Sequence, residues 1–323
     1  MDNGLLETLN GRTVLVTGAG GSIATTLCKQ LALLPIKHLK MLNVSETALY
    51  NLKKVLDKVP TKAKLEYVLG NVGDEGLLRE HLPWSDVVIH TAAHKHIPLC
   101  EENIVQAVLN NVMGTRNLLV MAARHGVEQF VFVSTDKAVH PTSVMGMTKR
   151  IGELLTIYRS AGVCASVVRF GNVKDTSGSV LPLWREQIEA GRPITLTHSE
   201  CTRFMMSVDD ACELILSALG LYKRGLYVFD MGKPLRMMDL AEQLMDEMDR
   251  SVPIVITGLR PGEKIHEELT YGEELDPTDH PRIMQVREEN GAVVRLAKVN
   301  ELIDAALARQ TARTLKILQE ITK

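Results

Sequence analysis

A doubly wound α/β fold, with a parallel sheet and a smaller mixed α/β lobe toward the C-terminus, is what the sequence predicts. Three observations predict it. Short β-branched runs alternate with amphipathic stretches of ten or more residues over the first 170 positions, the pattern of βαβ units. A glycine-rich turn follows the first run and opens the first helix. After about residue 172 the alternation loosens. The chain of 323 residues is 45% apolar and 24% charged, an ordinary globular composition that excludes a disordered chain.

Residues 12–17 are β-branched and end in glycines, so they read as the first strand. Ile23, Leu27, Leu31 and Leu34 recur at helical spacing. A second strand, 38–43, precedes an amphipathic stretch at 46–59. A strand at 65–69, a polar helix at 75–81 and a strand at 86–91 follow. A long helical pattern covers 104–125, a strand 129–134, a helix 144–161 and a strand 164–170. The crossovers are expected to be right-handed, with ligand beyond the carboxyl ends of the strands. Downstream, Gly178, Pro182, Gly191 and Pro193 punctuate the chain. Helices at 208–222 and 237–249 alternate with short strands, and 299–322 reads as a terminal helical region. Met237, Met238, Met245 and Met248 fall at helical spacing and read as core. The expected division is 1–171 and 172–323, with some elements of the second part returning to the sheet of the first.

The turn Thr17-Gly18-Ala19-Gly20-Gly21-Ser22-Ile23-Ala24 makes the first part a Rossmann-type dinucleotide-binding domain. Gly18 permits the tight bend, Gly21 lets a pyrophosphate approach the backbone, and Ala24 is small enough for close helix–strand packing. A helix N-terminus then offers N–H groups and partial positive charge. At the end of the second strand, where an acidic residue usually meets the adenosine ribose, stands Asn43, followed by Val44 and Ser45. An amide does not repel a 2′-phosphate, so NAD and NADP both remain candidates, with NAD favoured. Asn71, ending the third strand, reads as an adenine contact or a turn former.

Charge balance gives no footprint for nucleic acid or anionic lipid: 37 Lys and Arg stand against 39 Asp and Glu. No apolar run approaches the ~18–20 residues that span a bilayer, and the first residues lack a signal-peptide pattern. A cytoplasmic location without membrane insertion is expected. The five cysteines include no CxxC pair and read as buried free thiols in a reducing compartment rather than a zinc site. His94 and His96 flank Lys95 in the loop after the fourth strand; site-wall or structural roles are expected for them, and no metal.

Thr135, Asp136 and Lys137 end the fifth strand, and Lys149 lies in the next helix. Polar groups leaving a buried strand beside a dinucleotide can form a proton-transfer site, and an Asp beside a Lys offers an acid and a base.

With these residues the chain resembles the extended short-chain dehydrogenases/reductases. More narrowly, it resembles the nucleotide-sugar 4,6-dehydratases of the CapD polysaccharide-biosynthesis group. The resemblance rests on the glycine turn at 17–23 and on HTAAHKHIP (90–98), NNVMGT (110–115) and STDKAVHPTSVMGMTKR (134–150). RFGNV (169–173), TRFM (202–205) and LRPGEK (259–264) complete it. The superfamily's Tyr-x-x-x-Lys pair is missing: Met145 occupies the tyrosine position before Lys149, as in the larger CapD-like dehydratases. A thioether cannot exchange a proton. Tyr50 and Lys54 have the right spacing but lie in the helix after the second strand.

The resemblance implies a three-stage reaction on a UDP-N-acetylhexosamine, foremost UDP-N-acetylglucosamine. C4 is oxidised by hydride transfer, water leaves across C5–C6, and the hydride returns to C6, retaining C5. Lys137 would take the C5 proton, Asp136 would protonate the leaving hydroxyl, Thr135 would hold the C4 oxygen, and Lys149 would bind the nicotinamide ribose. Candidate cofactor contacts are Gly18, Gly21, Ser22, Ile23, Asn43, Ser45, Asn71, Val72, Ala92, Ala93 and Lys149. Candidate substrate contacts are Lys95, His96, Asn172, Ser179, Val180, Arg203, Arg260 and Glu263. The two arginines are expected to fork onto the diphosphate, and Glu263 to meet the uridine ribose. His94, Asn43, Asn71 and Lys174-Asp175 depart from the group's usual residues. A nucleotide-sugar epimerase and a non-catalytic NAD(P)-binding scaffold are the rival readings. A homo-oligomer is expected, with 104–125 and 144–161 offering helices to a second copy.

Overall fold

The computed structural model describes residues 3–176, 178–287 and 296–323. A helix not foreseen, α1 (Asn3–Leu9), precedes β1 (Thr13–Thr17). Then come α2 (Ser22–Ala32), β2 (His38–Asn43), α3 (Glu46–Leu56), β3 (Lys64–Leu69), α4 (Glu75–His81) and β4 (Val87–His90). All five residues of β1 and all four of β4 are buried, because strands covered on both faces read as continuous apolar runs. α5 (Ile97–Glu102) follows, with Pro98 in its first turn, where proline costs no hydrogen bond.

The long helical stretch is interrupted. α6 (Ile104–Ala107) passes through a π-helical turn, Val108–Met113, into α7 (Gly114–Arg124). Periodicity alone reads this as one helix because a single wide turn shifts the pattern by only one residue. β5 (Gln129–Thr135), α8 (Val144–Tyr158) and β6 (Cys164–Phe170) complete the first half.

Six parallel strands lie in the order β3-β2-β1-β4-β5-β6. Gly225–Phe229 adds parallel to β6, and Ile283–Val286 and Leu275–Pro277 extend that edge antiparallel. The chain leaves β1 in one direction toward β3 and returns on its other side to β4. That reversal opens a crevice at the carboxyl ends of β1 and β4, where the glycine turn lies.

One sheet face is covered by α1, α2, α3 and Val208–Gly220, the other by α4, α7, α8 and the terminal helices Val299–Leu307 and Thr311–Thr322. A separate apolar cluster of Leu181, Trp184, Ile188, Ile194, Leu240 and Leu244 forms the core of the smaller lobe. Met237 is buried there, while Met238, Met245 and Met248 pack partly against it. The helix Val180–Glu189 was hidden by Pro182, which reads as punctuation yet fits a first helical turn. Four of the five cysteines are buried and all are free thiols.

Of the two helices expected to be offered to a second copy, the one at 144–161, α8, is largely covered within the chain. Thirteen of the fifteen α8 residues are buried. Leu302, Ile303, Leu318 and Ile321 of the terminal helices join Ile151, Leu154 and Leu155 in one cluster. Leu318 has no exposed surface, so Leu318→Ala should lower stability by about 2–5 kcal/mol, read from urea denaturation.

Candidate functional site

The glycine turn is shaped by close backbone approach. Gly18 has φ +67°, and a Cβ there would lie 2.7 Å from the Ala92 backbone. At Gly20 a Cβ would lie 2.6 Å from Ala48 Cβ. Asn43 braces the turn: its Oδ1 accepts from Gly20 N–H at 3.3 Å, and its Nδ2 donates to Ser45 O at 3.1 Å. Ser45 caps α3 by accepting from Ala48 N–H. Gly21 precedes Ser22 and Ile23 at the start of α2 and offers no side chain to cap it. Asn71 Oδ1 accepts from Gly73 N–H at 2.7 Å, the turn-forming geometry. Val72 is buried against Gly114, where a Cβ would come within 2.8 Å of it.

A buried relay ties this turn to the helices. His90 Nε2 lies 2.9 Å from Thr115 Oγ1, whose hydroxyl donates to Asn111 O at 2.6 Å. Thr115 must therefore accept from Nε2–H, which leaves Nδ1 to accept from Thr17 Oγ1 at 2.6 Å. Burial, with help from the Lys149 charge, pulls His90 down to about 3, so this single neutral tautomer persists. Asn111, in the π-helical turn, clasps the backbone of His94 through both N–H and C=O and donates to Thr148 Oγ1. His94 is thereby fixed by its backbone. Among the described residues no His, Cys, Asp and Glu gather into a group able to hold a metal.

The end of β5 carries the densest polar cluster. Asp136 has no exposed surface. Its Oδ1 accepts from Thr135 Oγ1 at 2.8 Å and from Lys137 Nζ at 2.9 Å, while its Oδ2 is buried without a hydrogen-bond partner among the described residues. Lys137 Nζ also donates to Asn172 Oδ1 at 3.0 Å and lies 3.6 Å from Glu267 Oε1. Burial opposes the charge on Lys137, but Asp136 and Glu267 outweigh it and hold the ammonium above its ordinary range.

Lys149 has the opposite setting. Its Nζ donates to Val133 O at 2.6 Å and sits 4.0 Å from the centre of the Phe132 ring. Burial drags it down to about 7, against the pull of Glu153. Gly152 makes room for this ring: a Cβ there would lie 2.4 Å from Phe132 Cζ. Met145 is buried one turn before Lys149. Tyr50 and Lys54 stack on each other on α3, away from this cluster.

Beneath lies a buried ion pair. Arg169 Nε and Nη2 fork onto Glu153 at 2.9 and 2.7 Å, Ser134 Oγ donates to Oε1 at 2.6 Å, and Arg150 donates to Oε2 at 3.1 Å. Despite burial, these partners hold the Glu153 carboxyl below its usual range. Arg169 also donates to Leu269 O, and Tyr271 Oη donates to Ala138 O.

The predicted substrate contacts divide. His96, beside Lys95, packs against Gly178, where a Cβ would lie 2.4 Å from the imidazole. Next to Gly178, at the start of the helix Val180–Glu189, Ser179 Oγ is buried without a partner among the described residues. Contrary to the expectation of a fork on the diphosphate, Arg203 turns its guanidinium onto the backbone. Its guanidinium donates to the carbonyls of Thr202, Lys264 and Ile265 at 2.8–2.9 Å and is buried. It braces backbone, because the two-residue strand Thr202–Arg203 runs beside that segment. Arg260 is exposed, and Glu263 Oε2 accepts from its backbone N–H at 3.1 Å. Glu267 went unnoticed in the sequence. It follows the Pro261-Gly262 turn without any local signal, and only the pairing of Thr202 with His266 brings it to Lys137.

Residues 14–288 match the polysaccharide biosynthesis protein family, and the chain belongs to it. It is 43% identical over 277 residues to an uncharacterized membrane protein of Methanocaldococcus jannaschii, covering 82% of each. It is 39% identical over 281 residues to the capsular polysaccharide biosynthesis protein CapD of Staphylococcus aureus, covering 83% of this chain and 47% of that one. The chain thus spans about half the length of CapD. Among solved structures, Pen from Bacillus thuringiensis superposes with a TM-score of 0.81 at 29% identity, covering 87% of this chain and 90% of that one. Among the described residues no helix is long and apolar enough to cross a membrane.

Removing one member of the buried pair leaves the other charged and unmatched. Glu153→Gln should cost about 3–5 kcal/mol in denaturation, and Glu153→Leu combined with Arg169→Met should recover most of it. Lys149 gives a pH signature. Between about 7 and about 10.4 the unfolded chain holds a proton that the folded one lacks, so this residue makes stability rise with pH, by at most about 1.4 kcal/mol per unit. The difference between wild type and Lys149→Met, measured in urea at pH 7 and 9, should show that slope.

Proposed function

We propose that this member of the polysaccharide biosynthesis family is a nucleotide-sugar 4,6-dehydratase. It acts on UDP-N-acetylglucosamine, recycles NAD or NADP, and supplies a precursor for surface glycans. The observation that carries the reading is the Thr135–Asp136–Lys137 cluster at the end of a buried strand, with Asp136 fully buried and Lys137 half-buried on it. Oxidation at C4 alone needs one proton acceptor. Elimination across C5–C6 needs an acid and a base together, and this cluster offers both.

The glycine turn fits a dinucleotide, because the space that side chains at Gly18 and Gly20 would fill is closed by Ala92 and Ala48 and the backbone itself faces the ligand. When bound, the cofactor supplies a hydride acceptor that returns the hydride within the same turnover. Asn43 spends its amide on the turn and brings no carboxylate against a 2′-phosphate, which supports keeping both cofactors. Thr135 holds the C4 oxygen and passes the hydroxyl proton along its hydrogen bond to Asp136. Asp136 then gives that proton to the departing C6 hydroxyl. Lys137, as an amine, takes the C5 proton and later returns it. Lys149, on the Phe132 ring, holds the nicotinamide ribose. Ser179, with its unpartnered hydroxyl, together with Asn172 and Arg260 supports binding of the sugar diphosphate.

The test is incubation with UDP-N-acetylglucosamine and NAD or NADP in parallel, followed by mass spectrometry and NMR. A product lighter by one water, with a C4 ketone and a C6 methyl, is expected. An unchanged mass with inverted C4 would replace the reading with a 4-epimerase. Lys137→Ala should reduce elimination by about 10²–10⁴-fold while cofactor binding, followed by fluorescence, stays intact.

A further inference from the structure

Lys137 cannot take a proton from carbon while it is an ammonium ion, and its surroundings favour the ammonium. Two of its three N–H donors are spent on Asp136 Oδ1 at 2.9 Å and Asn172 Oδ1 at 3.0 Å. The other acceptor facing it is Glu267 Oε1, at 3.6 Å. The Glu267 side chain is only 3% exposed, and its Oε2 is buried with no hydrogen-bond partner among the described residues. Glu267 also lines a cavity of about 700 Å³ whose walls include Phe204, Met231, Leu275 and Met284.

We propose that Glu267 is the proton store of the site: its carboxylate takes the proton that Lys137 must shed before the amine can attack a carbon acid. The inference rests on the dehydratase reading and goes beyond it. Asp136 cannot fill this role, since in that reaction it must be empty to receive the C4 hydroxyl proton through Thr135. A second carboxylate is therefore required.

The proton count closes. In the resting trio Asp136 and Glu267 are carboxylates and Lys137 is an ammonium, one negative charge in all. Moving one N–H proton to Glu267 gives a neutral amine and a neutral carboxylic acid, with Asp136 still ionised and the total charge unchanged. The amine then takes the C5 proton and returns it to C5, ending as an amine, while Glu267 keeps its proton until the product leaves. No proton need cross to solvent. Arg203 is the other charge facing Lys137 and works against the ammonium; its guanidinium stays engaged on backbone carbonyls. Glu267 acts through Lys137 and is a positioning residue.

The test compares wild type with the isosteric Glu267→Gln in two experiments. The first needs no substrate: competitive acylation of lysines across pH, with Lys137 read by peptide mass spectrometry. Loss of the Glu267 charge should shift half-maximal labelling of Lys137 to lower pH, and coincident curves would overturn the proposal. The second follows deuterium entry at C5 of UDP-N-acetylglucosamine in D₂O, delivered from the Lys137 nitrogen, whose protons exchange with solvent before substrate binds. Wild type should exchange at a rate nearly independent of pH between 6 and 8. Glu267→Gln, whose amine is reached only by loss of a proton to solvent, should lose this flat profile and gain about tenfold per pH unit, while reduction of the cofactor by C4–H persists. An undiminished, flat profile in the variant would also overturn it. If wild type itself exchanges nothing, the dehydratase reading fails, and the labelling curves still decide whether Glu267 governs the proton on Lys137.

Discussion

The buried pairing of Arg169 with Glu153 is the constraint on which the site depends. Neither side chain has more than 1% of its surface exposed, and every strong group around them is committed. Glu153 takes Ser134 from β5 and Arg150 from its own helix, and Arg169 reaches from β6 to Leu269 O. Tyr271 lies under both guanidinium groups, 4.8 and 5.9 Å from its ring centre, and returns a hydrogen bond to Ala138. Two strands, one helix and the 264–271 segment are thereby locked in a single register. Such a pair contributes little net stability once desolvation is counted. Its consequence here is positional, because Lys137 lies in the short turn that directly follows β5 and Glu267 lies within the 264–271 segment.

The same end of the sheet places two lysines in opposite electrostatic surroundings. Lys137 lies among two carboxylates and an amide oxygen and is held charged. Lys149, twelve residues later, has a carbonyl and an aromatic face and is brought near neutrality at pH 7. Desolvation acts on both; what differs is the number of anions within reach. Glu153 lies one helical turn from Lys149 but is already matched by two arginines, so little of its charge remains for the lysine.

Most of the sheet was legible in the sequence, because strands buried on both faces leave continuous apolar runs and each βα unit carries its own helical period. β2, α4 and β6 fall on the predicted limits. What was illegible depended on tertiary context. Pro182 reads as punctuation and stands in a first helical turn. The π-helical turn around Asn111 leaves no compositional trace. Arg203 has the chemistry of an anion clamp, and only the neighbouring carbonyls reveal that its fork is occupied. Glu267 is one of two adjacent glutamates, and nothing in the order of residues tells the buried one from the exposed Glu268.

Replacement of the superfamily's tyrosine by Met145 acquires a physical reading in this arrangement. A buried thioether can neither give nor take a proton, so the route from a substrate hydroxyl must start elsewhere. Thr135 is the donor already aimed at a carboxylate, with its hydroxyl on Asp136 at 2.8 Å. On the proposed reading this hydrogen bond replaces the phenol: a hydroxyl that donates to Asp136 can accept from C4–OH, and both protons move one place along the chain. Asp136, now a neutral acid, holds that proton when the C6 hydroxyl needs it. A tyrosine would make Asp136 free of the first step, whereas its absence couples oxidation to elimination through one carboxyl group. That coupling leaves Asp136 no capacity for the proton of Lys137, which is the role the neighbouring Glu267 is placed to fill.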